Sequence, residues 1–255
     1  MACQQLSVWR WPVWWWFLSG VSALAWWMVW SGIAPDAPRA PSVCVAASEG
    51  WRQRLRQTLR ARGPWLLSLT FGVYAAQWLA VIGFLPTVYA ELGLAAGTAG
   101  VLSACVALAN VSGNIMSGRL LQRGWPAQRL LSIGFACMTL GAVGAYAVWQ
   151  GEGLPTSLRF ACVVMFSAVG GLIPGTLFSC ALRLAPSEGT VSTTVGYMQQ
   201  LSALGQFAGP PLVAWVAASA GGWQWTWTVT ATLSLAGAVL AHFIGRALHK
   251  KEKHD

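Results

Sequence analysis

The side chains able to do chemistry in this chain are amides and phenols set inside apolar stretches. Gln77, Asn110, Asn114, Gln199, Gln200 and Gln206, together with Tyr74 and Tyr197, all fall within runs of aliphatic and aromatic residues. A side-chain amide offers donors and an acceptor, and a phenol offers one of each, so such groups can hold a polar solute by hydrogen bonds. They can also bind one helix to another, at about 1 kcal/mol or less per bond. Helical spacing sorts them onto shared lines: Tyr74 with Gln77, Asn110 with Asn114, and Gln199 with Ser202 and Gln206. Of these, Tyr74, Gln77, Asn110, Asn114, Tyr197 and Gln200 are the candidate solute-binding residues.

The missing chemistry narrows the choice further. None of Asp36, Glu49, Glu91, Glu152, Glu188, Glu252 and Asp255 lies in the middle of an apolar run, where a proton relay would place a carboxylate. His242 sits toward the end of its run and reads as interfacial packing. Arg159 and Arg183 read as helix-end anchors whose stems lie along apolar surface. The cysteines, Cys3, Cys44, Cys105, Cys137, Cys162 and Cys180, include no CxxC pair and no ligand spacing. Four of them lie within apolar runs, where a thiol acts as a small hydrophobe. No His, Asp or Ser cluster suggests a membrane enzyme. The expectation is therefore a non-enzymatic chain with no metal and no cofactor.

The elements that must position the amides are long and apolar. Hydrophobic residues make up 56% of the chain and charged residues 9%, where soluble domains carry about 25% charged residues. Seven stretches are predicted as spans, at 11–30, 65–89, 98–118, 129–149, 158–181, 191–216 and 224–247. Each holds about 20 residues, enough to cross a hydrocarbon core as a helix. The fold class expected is an all-α polytopic membrane bundle. The net charge of +9 invites a nucleic-acid partner, but the cations form no single patch. Arg52 to Arg62, then Arg119, Arg123 and Arg129, then Arg183, then Arg246 to Lys253 occupy every second gap. That alternation is the positive-inside pattern; it predicts a cytoplasmic C-terminus, an outside N-terminus, and the lipid bilayer as partner in place of nucleic acid.

The stretch 11–30 admits two readings. A basic residue ahead of an apolar run suggests a secretory signal; its length, and tryptophans at both ends, suggest a true span with aromatic belts. In the gap that follows, Trp51, Leu55 and Leu59 recur every fourth residue among arginines. This pattern fits a short amphipathic helix on an anionic membrane surface, or a solvated basic linker. Small residues predict close helix crossings, at Gly113 with Ser117 and at Gly205 with Gly209. Gly170, Gly171, Pro174 and Gly175 interrupt the fifth stretch, and Pro174 is expected to bend it. A faint echo pairs Trp9-Arg10-Trp11 with Trp223-Gln224-Trp225, six spans apart, a period known among transporters.

The run from Gly118 through Arg119, Leu120, Leu121, Gln122 and Arg123 to Gly124 resembles the loop signature Gly-x-Leu-x-Asp-Arg-x-Gly of the major facilitator superfamily. Gly118, Leu120 and Arg123 match it, while Gln122 stands in place of the Asp whose ion pairs hold the family's inward gate. Gly83-Phe84-Leu85-Pro86 resembles the ending of the family's seventh helix, and Gly205, Gly209, Pro210 and Pro211 its eleventh. The basic gap resembles the family's central cytoplasmic loop. Within the superfamily the likeness is to bacterial cyanate permease-like members.

The resemblance implies the sixth to twelfth helices of a twelve-helix transporter. It divides the chain into a lone helix at 1–30, a basic linker at 31–63, a six-helix half at 64–248 and a tail at 249–255. It implies alternating-access transport of a small polar or anionic solute across a bacterial inner membrane, with a complementary N-terminal half as a further partner. It places the second, third, fifth and sixth spans around the cavity, and makes the Pro174 region, the Gly118–Gly124 loop, Gly205, Gly209 and Pro210 gating elements. The rival reading is a non-transporting fragment or structural membrane protein. A heptahelical receptor gives no reason for the loop signature. A retinal protein would need a buried Lys, and lysine occurs only at 250, 251 and 253.

Overall fold

The structure, a computed structural model, describes residues 10–32 and 50–253. Cys3, Cys44, Trp9, Pro35, Pro38, Pro41, Asp36, Glu49 and Asp255 lie outside the described residues, as does most of the linker. The chain divides into two compact units, Met1–Ser48 and Glu49–Asp255.

In the first unit, Arg10–Gly32 forms the 23-residue helix α1. Among the described residues, six helices of the second unit are long and apolar enough to cross a membrane, and α1 is rich in apolar residues as well. Its length suffices, since about 1.5 Å of rise per residue carries it beyond 30 Å. Its tryptophans carry an N–H group on an apolar body, which suits the ends of a span. They pair along the helix, Trp26 stacking on Trp30 at 5.7 Å. Ser22 and Ser31 donate back to the Leu18 and Trp27 carbonyls at 2.9 and 2.8 Å, which satisfies hydroxyls that lipid could not.

The second unit opens with α2 (Trp51–Arg60), so the amphipathic pattern does form a helix. Arg54, Gln57 and Thr58 turn inward on it, while Trp51, Leu55 and Leu59 are exposed. There follow α3 (Arg62–Glu91), α4 (Ala96–Gln122) and α5 (Ala127–Tyr146). The predicted fourth span ran to 149, but Val148–Trp149 and Glu152–Gly153 instead form the two-stranded hairpin β1–β2. Its turn has positive φ at both Gln150 and Gly151, the geometry that matches strand twist in a two-residue turn. The fifth span is α6 (Thr156–Gly170) and α7 (Leu172–Leu184), interrupted at Gly171. Last come α8 (Val191–Ala220) and α9 (Thr226–Glu252).

Successive spans run antiparallel, which gathers Arg62, Arg119, Arg123, Arg183, Arg246 and Lys250 at one end of the bundle. Arg159, at the start of α6, marks the opposite end. The core joins Leu67, Phe71, Phe135, Met138, Phe166, Ile173 and Ile244. The spans differ sharply in how much they bury. In the most apolar window of both α3 and the interrupted span 56% is buried, against 17% in α4 and 22% in α8. Thus α3 is the central helix, and α4 and α8 present open flanks.

Candidate functional site

The polar site grows from the interruption at Gly171. Pro174 has no N–H to return to the carbonyl four residues back, and its ring crowds that turn. The helix therefore breaks upstream of Pro174, at Gly171, and restarts so that Pro174 occupies its first turn, where an amide would go unused. The bend predicted at Pro174 is thus displaced by three residues.

The break lets α4 approach to backbone contact. A Cβ on Gly113 would collide with the Ala168 carbonyl, one on Gly171 with the Asn110 carbonyl, and one on Gly175 with the Ser117 hydroxyl. The predicted pairing of Gly113 with Ser117 is therefore a close crossing. Over this crossing, Asn110 Nδ2 donates to the Ser167 carbonyl and to the Tyr74 hydroxyl, both at 2.9 Å. Asn114 Nδ2 donates to Asn110 Oδ1 at 3.0 Å. Trp78 Nε1 donates to Ser167 Oγ at 3.2 Å. Three helices, α3, α4 and α6, meet at one polar joint.

Among the described residues, both amide hydrogens of Asn110 are engaged, but the Tyr74 hydroxyl only accepts and Asn114 Oδ1 has no donor. Asn114 is half-buried. The joint therefore keeps a donor and an acceptor unspent, one on each of two facing helices.

The remaining predicted solute residues lie elsewhere. Gln77 is fully buried and its Oε1 accepts from the Ser234 hydroxyl of α9 at 2.9 Å, with its Nε2 unpartnered. Tyr74 and Gln77 thus face different neighbours despite their spacing, because α3 is surrounded. Tyr197 packs edge-on to Trp65 with centroids 5.1 Å apart, near the basic end. Gln199, Gln200 and Gln206 are exposed on α8, and Gln206 Nε2 donates to Ser202 Oγ at 3.3 Å. The structure joins Tyr74, Asn110 and Asn114 and leaves Gln77, Tyr197 and Gln200 apart. Ser167, Ser234 and Trp78 escaped the sequence reading; a tryptophan far from either belt was the one available signal.

The predicted gating residues resolve into distinct roles. Gly124 has φ +83° and ends α4: its amide donates to the Leu121 carbonyl, and that of Trp125 to the Leu120 carbonyl, both at 3.0 Å. This is a Schellman stop, which requires the left-handed conformation that glycine tolerates. A Cβ at Gly118 would meet open space. Leu120 and Arg123 flank the same stop. On α8, a Cβ on Gly205 or Gly209 would collide with the Gly72 or Ala76 carbonyl, so these glycines seat α8 on α3. The helix continues through Pro210 and Pro211.

Cys105, Cys137, Cys162 and Cys180 are free thiols. No group of three or more potential metal ligands occurs among the described residues. His242 Nδ1 lies 3.4 Å from Gln128 Nε2, on an exposed part of α9.

Six apolar spans of membrane length among the described residues define a multi-pass membrane protein. The profile of the Major Facilitator Superfamily matches residues 2–205, and the chain belongs to that family. The fold is similar to the crystal structure of the E. coli fucose–proton symporter, with a TM-score of 0.63 at 18% identity, covering 76% of this chain and 46% of that one. The same symporter in its outward conformation gives 0.61 at 17% identity, covering 76% and 45%. A peptide transporter crystallised with sulfate gives 0.62 at 17%, covering 80% and 41%. The chain thus spans less than half the length of these solved structures. No curated protein sequence matches this one.

Proposed function

We propose that the chain forms one half of a carrier that moves a small polar or anionic solute by alternating access, and that it is not an enzyme. The observation that carries this reading is the uncommitted Tyr74 hydroxyl proton and Asn114 Oδ1 beside the interrupted span. A solute with both donor and acceptor groups would complete those bonds, and the break at Gly171 supplies a place to bend. The exposed amides Gln199, Gln200 and Gln206 on α8 support it too, because lipid would leave them unsatisfied and a water-filled path or a second helical half would not. Gln77 acts in this reading as a buried tie between α3 and α9.

The remaining assignments form part of the same proposal. The lone helix at 1–30, the linker at 31–63, the half at 64–248 and the tail at 249–255 are its organisation. A complementary N-terminal half completes the cavity. The membrane is the bacterial inner membrane, with the basic end cytoplasmic and the N-terminus outside. A cysteine placed beside Arg123 should resist a membrane-impermeant thiol reagent in intact cells and react in inverted vesicles; the opposite result removes the orientation.

Counterflow in proteoliposomes tests transport, using the chain alone and together with a complementary six-helix half, against labelled sugars, amino acids and small organic anions. Solute-dependent flux that falls at least tenfold in Tyr74→Phe and Asn114→Ala supports the proposal. Absence of flux in every pairing rejects it in favour of a structural membrane protein. One observation favours that rival: Asn110 spends all its donors inside the bundle, as a purely structural amide would.

A further inference from the structure

At the basic end of the second unit, α2, α3 and α9 enclose a groove of about 810 Å³. Arg60, Arg62, Arg246 and Lys250 line its outer part, and no acidic residue lines it at all. None of these four side chains makes a hydrogen bond or ion pair with another described residue. Their neighbour Lys251 is spent, donating to the Arg183 carbonyl at 2.8 Å. All four are exposed, and no acidic residue among the described ones pairs with them, so the rim of the groove presents positive charge that suits an anion.

The deeper wall says what kind of anion. Moving inward along α3 from Arg62, the groove is lined by Leu66 and Leu69; moving inward along α9 from Lys250, it is lined by Phe243. Leu69 and Phe243 lie 41% and 46% exposed. Each path covers seven residues, which at helical rise is about 10 Å. Charge at the rim therefore gives way to bare hydrocarbon one polar-headgroup depth below. Trp65 fixes the wall between them: its indole donates to the Leu59 carbonyl at 2.8 Å, tying α3 to the end of α2. A free inorganic anion would use the cations and leave the apolar wall uncovered. An amphiphile uses both.

We infer that this groove is a specific site for an anionic phospholipid, with the phosphate among Arg62, Arg246 and Lys250 and an acyl chain along Leu66, Leu69 and Phe243. Basic pockets between membrane helices are suited to such headgroups, and guanidinium forks pair with phosphate oxygens. The lipid would bridge the short surface helix to the first and last helices of the six-span bundle. The exposed Trp51, Leu55 and Leu59 of α2 extend the same apolar surface. The site is separate from the polar joint, and its occupancy does not depend on transport.

Native mass spectrometry of the full chain in dodecyl maltoside tests this directly, with dioleoylphosphatidylglycerol, dioleoylphosphatidylcholine or inorganic phosphate added. Phosphatidylglycerol should be retained with at least a tenfold preference over phosphatidylcholine, and phosphate alone should neither stay bound nor raise the unfolding temperature. The triple variant Arg62→Gln, Arg246→Gln, Lys250→Gln should lose that preference, while Arg52→Gln with Arg56→Gln, on the exposed side of α2, should keep it. Phe243→Ala, which leaves every cation in place, should weaken retention and decides the matter if the triple variant does not fold. Equal retention of both lipids, unchanged retention in the triple variant, or protection by phosphate alone would each overturn the assignment.

Discussion

Where α8 crosses α3, Gly205 and Gly209 lie directly on the Gly72 and Ala76 carbonyls, and no side-chain hydrogen bond among the described residues joins the two helices. Where α4 crosses the interrupted span, Gly113 and Gly171 come just as near, but Asn110 also donates to the Ser167 carbonyl and to Tyr74. Both crossings use small residues to bring backbones together, which is how helices gain dispersion contacts without a hydrophobic force in lipid. They differ in what else is present. The α3–α8 seam is continuous, has no side-chain hydrogen bond between the two helices among the described residues, and runs between unbroken helices. The α4 crossing is polar, and sits on a helix that has already given up part of its backbone ladder. A seam held by close backbone contact alone offers no hydrogen bonds to exchange, whereas a polar joint with unspent groups does.

Filling either crossing should have the largest effect. Gly113→Leu and Gly209→Leu each force a side chain into a facing carbonyl, and should lower stability in detergent by about 1–3 kcal/mol or more, as overpacking does. Equal losses, read from thermal unfolding, would show that the two crossings are mechanically alike. Asn110→Ala separates them. It removes bonds from the polar crossing alone and should cost about 0.6–1.7 kcal/mol, the range for interhelical bonds in membranes. A double variant with Gly209→Leu should be close to additive, since distant sites usually are.

Pro174→Ala should act with the opposite sign. It returns an amide donor to the turn that Gly171 interrupts, so the span should straighten and become modestly more resistant to heat, while any flux falls. Faster amide exchange near Gly171 in this variant would contradict that account. The smallest stability change is expected from Gln200→Ala, since the amide is exposed on α8 and bonds to no described residue. Its unfolding temperature should stay within a degree or two of the parent, and a large loss would place Gln200 in a packed interface instead.

The helices were legible because bilayer thickness dictates their length. The stretch predicted at 98–118 became Ala96–Gln122, and that at 65–89 became Arg62–Glu91. The helix at Trp51–Arg60 was legible from its four-residue apolar rhythm. The hairpin was not, because Val148 and Trp149 continue the hydropathy of the span before them and the turn at Gln150 and Gly151 has no strong signature. Within the site, Asn110 and Asn114 were correctly placed together, since α4 has one packed side and spacing decides which residues share it. The same rule failed for Tyr74 and Gln77. Helix α3 is packed on several sides, so a modest angular difference sends one residue to Asn110 and the other to Ser234. Partners such as Ser167 come from tertiary packing, and no periodicity carries them.

The tight turn after α5 has a mechanical meaning. With only Ala147, the hairpin, Leu154 and Pro155 between them, and with α5 and α6 packed along their lengths, the upper arm of the broken span is clasped to its neighbour. The lower arm, α7, is held as well, burying Ile173, Leu177, Cys180 and Ala181 where it packs on α3, α4 and α5, and it carries Arg183 at its tip. That tip is where Lys251 takes hold, so the last helix ties down the end of the broken span.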